Sequence, residues 1–258
     1  MLSTDFVPGS PNWIDLGSPD VDRTAAFYRD VLGWTLVSLG PEAGGYGFFQ
    51  LHGRTVAAVG PLDAGQTSAW TIYFSVPDAD ATTKAVEQAG GAIRLEPMDV
   101  FTNGRMAQFT DPGGAEFAVW QPGETKGVDV LNEPGSVSWV ELLSADPKAA
   151  QEFYGAALGW TAVDMPMAEG SYTLFSPESG GADTEFAGVA PTQEGHSPHW
   201  LPYFETEDVD AAVARATEAG GSVVMPATDY PDVGRMAWLT DPFGARFALM
   251  RSAQQQAQ

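Results

Sequence analysis

The chain has 258 residues, 44% hydrophobic and 18% charged, which is ample material for a packed core and no signature of disorder. Acidic residues outnumber basic ones 34 to 12, and the resulting net charge of −22 repels phosphate backbones and anionic membrane surfaces, so neither nucleic acid nor membrane is expected as a partner. There is no cysteine, which excludes disulfides, zinc–thiolate sites, iron–sulfur clusters and cysteine nucleophiles.

The opening stretch MLSTDFVPGSPNW lacks the basic and apolar regions of a signal peptide, and no apolar run approaches the ~20 residues that span a bilayer, so a cytoplasmic location is expected. WIDLGS then alternates, with Ile14 and Leu16 on one face and Trp13 and Asp15 on the other, as a strand does. SPDVDRTAAFYRDVLG predicts a helix: it opens on a Ser/Asp cap with Pro, carries Val21, Ala25, Phe27, Tyr28 and Leu32 at helical spacing, and stops at Gly33. Three short strands follow in WTLVSL, YGFFQL and TVAAVG. The pattern then recurs as strand WTIYFSV, helix ADATTKAVEQAGG and strands AIRLEP, RMAQFT and EFAVW. The segments DPGG and DPFG read as turns with Asp first and Pro second, connecting hairpins and carrying no chemistry.

The whole series is written twice. Trp13 recurs as Trp139, Tyr28 as Tyr154 and Gly33-Trp34 as Gly159-Trp160, all 126 positions on. Beyond Trp70 and Trp200 the offset is 130, so the second copy holds four extra residues between Trp160 and Trp200. Each copy is a pair of βαβββ units. The fold class is α+β, with one domain over residues 8–122, a linker over 123–134 rich in Gly and Pro, and a second domain over 135–252.

A strand, then D-x-D-x-x-x-x-FY-x-x-x-LGW, then AGG, GR and DP-x-G-x-x-F in fixed order resembles the vicinal oxygen chelate superfamily. That group includes glyoxalase I, bleomycin- and fosfomycin-resistance proteins and extradiol dioxygenases. The tandem form resembles actinobacterial two-domain glyoxalase-like proteins, often labelled hydroxylases. The resemblance implies that paired βαβββ units curl their strands into a cup. In metalloenzymes of the family it also implies metal ligands, usually His or Glu, on the first and last strands. Those positions fall on Trp13 and Ala118 in the first copy and on Trp139 and Ala248 in the second. The inner-strand positions fall on Ala57 or Ala58 and Thr71, and on Ala187 or Gly188 and Leu201. Only Thr71 has a donor, so no metal site and no cofactor are expected. Of the three histidines, His52 has no counterpart near Ala182, and His196 and His199 read as a surface turn.

Strand alternation gives each cup its expected lining. The first copy contributes Trp13, Asp15, Thr71, Tyr73, Met106, Gln108, Ala118 and Trp120. The second contributes Trp139, Glu141, Leu201, Tyr203, Met236, Trp238, Ala248 and Met250. Flat rings with small alanines suit a small aromatic or hydrophobic ligand, although the same tryptophans could fill the cups as core. One acid stands at the same place in each copy, Asp15 and Glu141, and a carboxylate on an apolar face is costly unless solvated or paired. Either the cups are open to water, or Arg105 and Arg235 tie the acids. EAGGYG and ESGGAD read as lips over the cups.

The expected function is therefore metal-independent binding of an aromatic metabolite or antibiotic. The alternative is a metal-free isomerase, hydratase or hydroxylase-like enzyme with Asp15 or Glu141 as general base, and a glyoxalase I-type metalloenzyme stands third. A monomer with internal pseudo-symmetry or a homodimer fits the duplication.

Overall fold

The computed structural model describes residues 2–63, 65–166, 171–178, 184–192 and 196–253. In the first copy the elements are β1 (Pro11–Ser18), α1 (Val21–Leu32), β2 (Thr35–Ser38), β3 (Gly47–Leu51), β4 (Arg54–Pro61), β5 (Ala69–Ser75), α2 (Ala79–Gln88), β6 (Ala92–Val100), β7 (Gly104–Thr110) and β8 (Glu116–Pro122). In the second they are β9 (Val137–Ser144), α3 (Pro147–Leu158), β10 (Thr161–Pro166), β11 (Ser171–Ser176), β12 (Ala187–Pro191), β13 (His199–Glu205), α4 (Val209–Glu218), β14 (Ser222–Tyr230), β15 (Gly234–Thr240) and β16 (Arg246–Ser252). The strands form two eight-stranded sheets, in the orders β2-β3-β4-β1-β5-β8-β7-β6 and β10-β11-β12-β9-β13-β16-β15-β14. The α+β class and the four βαβββ units are as the sequence reads.

The four α-helices among the described residues start alike. Asp20, Asp78, Asp146 and Asp208 each hold an extended or near-extended backbone and accept a hydrogen bond from the amide three residues on, which satisfies one of the orphan donors of the first turn. The ends of α1 and α3 depend on glycine: Gly33 and Gly159 take φ of 77° and 71°, the left-handed conformation that closes a helix. This turn corrects one expectation. Trp34 and Trp160 do not begin the following strands, which start at Thr35 and Thr161. The chain reverses at the glycine and sends each indole back onto its helix instead. Trp34 stacks on Tyr28 with centroids 5.2 Å apart and 21° between the planes, and Trp160 on Tyr154 at 4.8 Å and 12°. The FY…LGW motif thus encodes core packing.

The chain groups into two compact units. One comprises Met1–Trp13, Thr71–Val128 and Trp139–Leu201, and within it α2 packs against α3. Its core gathers Phe74, Phe117, Phe153, Tyr154, Trp160, Phe175 and Phe186, all buried. The other comprises Ile14–Trp70, Asp129–Ser138 and Pro202–Gln258, with α1 against α4 and a core around Tyr28, Trp34, Phe49, Phe204 and Phe247. The segment between the repeats is firmly seated: Val128 and Val130 are buried, Gly135 O accepts the Trp34 indole N–H at 2.6 Å, and Arg54 forks onto Glu133 at 3.0 and 2.6 Å.

The edge strands β6 and β14 are irregular. Each slips register twice against its neighbour, at Ile93/Leu95 and Leu95/Met98, and at Val223/Met225 and Met225/Thr228. Pro97 and Pro226 lie within the second slip of their strands.

Candidate functional site

β1 presents Trp13 and Asp15 on one face while Ile14 and Leu16 are buried on the other. Asp15 stands in register with Ala58 of β4, which fixes the inner-strand position as Ala58 rather than Ala57. Tyr46, the residue before β3, donates its hydroxyl to Asp15 Oδ2 at 3.0 Å. Its ring lies against Gly60, where an added Cβ would come within 3.0 Å.

The second copy repeats the arrangement more tightly. Glu141, only 6% exposed, stands in register with Gly188 of β12. The Tyr172 hydroxyl accepts the Trp139 indole N–H at 3.1 Å and gives its own proton to Glu141. Burial, and then the Glu141 charge, push the Tyr172 phenol well above its ordinary value, so it stays a neutral donor. The ring has room only because position 188 is glycine: a Cβ there would collide with the Tyr172 hydroxyl oxygen. Gly188→Ala is accordingly expected to displace Tyr172, strip Glu141 of its donor and destabilise the protein by about 1–3 kcal/mol, measured by urea unfolding. An unchanged midpoint would count against the packing described.

Tyr46 and Tyr172 are absent from the residues singled out in the sequence. The signal was the offset, since 126 positions separate them as they separate Trp13 from Trp139 and Asp15 from Glu141. The proposed arginine tethers are overturned. Arg105 bonds Asp80 at 2.8 and 3.0 Å and Asp99 at 2.9 Å, and Arg235 bonds Asp210 and Asp229 at 2.8 Å. Both guanidiniums lie beside exposed carboxylates of a helix start and a neighbouring strand, where solvent keeps the ion pairs cheap to form.

Five of the expected lining residues of the first copy come together. Tyr73 pairs in register with Ala118, and Met106 with Trp120. Tyr73, Ala118 and Trp120 form a buried cluster against which Trp13, Val100 and Met106 pack. The Trp120 indole N–H is satisfied by Thr125 O at 2.9 Å. Thr71 and Gln108 are both half-buried, and Gln108 is in register with Ala118. In the second copy Tyr203 and Trp238 both stand in register with Ala248, and Met236 with Met250. Trp238 donates its indole N–H to the Tyr203 hydroxyl at 2.9 Å. Leu201, two residues before Tyr203 on β13, is buried.

The residues present do not fit the divalent ion of the family's metalloenzymes. Alanine has no lone pair to offer, and both Ala118 and Ala248 are fully buried, with no longer side chain occupying their place. Among the described residues no three of His, Cys, Asp and Glu group to hold a metal. His52 is exposed in the β3–β4 turn with φ 52°. His196 precedes β13, while His199 is its first residue rather than part of a turn, with Nδ1 2.9 Å from Ser197 O. Ala182 and most of ESGGAD, residues 179–183, lie outside the described residues. No described helix is long and apolar enough to cross a membrane.

Comparison with known proteins gives a consistent result. The family model described as the Glyoxalase/Bleomycin resistance protein/Dioxygenase superfamily matches residues 10–119 and 136–249. The anthracycline biosynthesis protein DnrV of Streptomyces peucetius is 44% identical over 268 residues, covering 96% of this chain and 94% of that protein. Among solved structures, the 2,3-dioxygenase LapB from Pseudomonas sp. KL28 superposes with a TM-score of 0.65 at 16% identity, covering 98% of this chain and 95% of its own. The Mn(II)-bound glyoxalase from Novosphingobium aromaticivorans gives 0.63 at 17% identity, covering 97% and 86%. At such identities these two structures speak for the fold alone.

Proposed function

The chain belongs to the glyoxalase/bleomycin resistance protein/dioxygenase superfamily, and from that premise we propose that it binds a planar aromatic small molecule without a metal ion. The observation that carries this reading is the buried cluster of Tyr73, Ala118 and Trp120 with half-buried Trp13 and Met106 packed against it, which puts an indole and a methyl group, those of Trp13 and Ala118, at positions where the family's metalloenzymes carry ligands. Rings and thioethers offer stacking and dispersion area, and the polar groups beside them orient a ligand. The name of the 44% identical relative supports the ligand class, because an anthracycline carries a planar fused-ring system. Sequestering or carrying such a metabolite inside the cell is the role this chemistry suits.

Quenching of tryptophan fluorescence by 1,4-dihydroxyanthraquinone tests the proposal. Saturable binding that persists in EDTA is expected, with Trp13→Ala weakening it about tenfold. Binding abolished by EDTA and restored by a divalent ion would remove the metal-independent reading, and no binding at all would remove the ligand class.

One observation favours a second reading. In each copy a tyrosine donates to the cup acid, Tyr46 to Asp15 and Tyr172 to Glu141, and such a pair can pass a proton to or from a bound substrate. A metal-free isomerase or hydratase would lose turnover in Asp15→Asn or Glu141→Gln while still binding ligand. Unchanged turnover in both variants would eliminate it.

A further inference from the structure

We propose that Phe101 is a ligand-contacting residue whose ring closes over a planar aromatic molecule seated on the Trp13–Met106–Trp120 face of the first copy. The inference rests on the binding reading above and adds to it a specific residue, and a difference between the copies.

Phe101 is 82% exposed, the most exposed large hydrophobic side chain among the described residues. It also has φ 50°, in the three-residue turn that joins β6 to β7. L-residues rarely adopt that left-handed backbone, and a bulky aromatic is among those least suited to it. A strained position that buries nothing does not serve the core, and such positions gather where a ligand is handled.

The second copy shows that the hairpin itself does not require this residue. The two turns are aligned, VFTNGR over residues 100–105 and YPDVGR over 230–235. Pro231 occupies the place of Phe101, and its ring holds φ negative. The positive φ moves instead to Asp232, at 63°, a residue type that tolerates it. The same hairpin therefore closes without strain on an aromatic, and its own ring, Tyr230, is far less exposed, at 36%.

The surroundings say what Phe101 covers. Val100, next to it, packs on the cluster of Tyr73, Ala118 and Trp120. Met98, two residues earlier on the same strand, is 46% exposed and stands in register with Met106, which in turn pairs with Trp120. An apolar stripe thus runs from the buried alanine outward through Trp120 and Met106 to Met98 and Val100, and ends beside the hairpin that bears Phe101. Its outer part faces water. A flat ligand lying on that stripe would leave its far side wet, and Phe101 is the aromatic residue that follows Val100 directly in the chain.

The test is quenching titration with 1,4-dihydroxyanthraquinone of the wild type and of Phe101→Ala, Phe101→Gly and Phe101→Tyr, each also melted without ligand. The Ala and Gly variants should bind about tenfold more weakly, and Tyr should stay within about twofold of wild type because it keeps the ring. Glycine removes the strain, so its Tm should rise by about 2 °C while its affinity falls, a split that a structural role cannot produce. Wild-type affinity in the Ala and Gly variants would overturn this inference alone. So would a drop in Tm for Phe101→Ala, or a loss in Phe101→Tyr as large as in Phe101→Ala. A wild type that binds nothing would overturn the ligand class and this inference together.

Discussion

Trp160→Ala is expected to destabilise the protein by about 4 kcal/mol and to lower Tm by about 10 °C, the largest single effect among the substitutions considered. The indole is the hub of its unit. It stacks on Tyr154, meets Phe74 at 4.8 Å, Phe175 at 4.9 Å and Phe186 at 5.0 Å, and gives its N–H to Gly9 O at 3.0 Å. Removing it opens a cavity walled by these four rings and that of Trp200, which cannot collapse together, since each is held by other neighbours. It also orphans a buried carbonyl. Trp160→Phe keeps a ring and much of the volume and should cost roughly half as much. Urea unfolding with a tryptophan-independent probe such as far-UV dichroism measures both, and a loss below about 1 kcal/mol for the alanine variant would refute the central role given to the ring.

Tyr154→Phe is the second large effect, about 3 kcal/mol, and Tyr28→Phe should cost about a third of that. Tyr154 accepts the Trp200 indole N–H at 2.9 Å and donates to Asp111 Oδ2 at 3.0 Å, so deleting one oxygen strands a buried donor and a buried carboxylate. Tyr28 occupies the matching place and accepts from Trp70 at 3.0 Å, but Asp241 Oδ2 has no hydrogen-bond partner. Only one bond is lost there. The pH dependence follows from Asp111. Burial pushes its carboxyl above the ordinary value, and the Tyr154 hydrogen bond acts against that by favouring the charged form. A carboxyl raised on folding stabilises the protein in acid and loses that contribution as pH rises through the folded value. Removing Tyr154 raises Asp111 further, so the extra penalty falls on the ionised form. Tyr154→Phe should therefore cost more at pH 7 than at pH 4, and an equal or larger loss at pH 4 would contradict the assigned donor.

What the sequence revealed and what it hid divide along the range of the interactions. The helices were legible because their signals are local: an Asp cap three residues before a free amide, and Gly33 or Gly159 at the end. Strand faces were legible wherever the alternation is unbroken, which is why Tyr73, Ala118 and Trp120 meet as expected. The reading failed where partners are remote or the period breaks. Tyr46 reaches Asp15 across 31 positions and from outside any strand, so strand alternation did not point to it and only the offset between the copies did. Arg105 faces Asp99 only because β6 slips register twice, and a count by twos along that strand goes wrong at the first slip. Asp111 looked like a turn residue and is one, its amide and side chain both closing the loop onto Ala115. Its second role, as acceptor for Tyr154, needed the fold.

The slips in β6 and β14 have a consequence for a chain that carries nearly the same strands twice. Such a chain risks pairing the wrong copies while it folds, or adding its strands to those of another molecule. β6 and β14 each form one end of their sheet, opposite β2 and β10, and the outward amides and carbonyls of an edge strand can template such growth. Pro97 and Pro226 delete an amide in the middle of each ladder, and the bulges beside them twist the remaining groups out of line. An incoming strand finds no run of evenly spaced partners. The irregularity that obscured the arginine's partner also guards each duplicated sheet against polymerising through the edge that β6 or β14 forms.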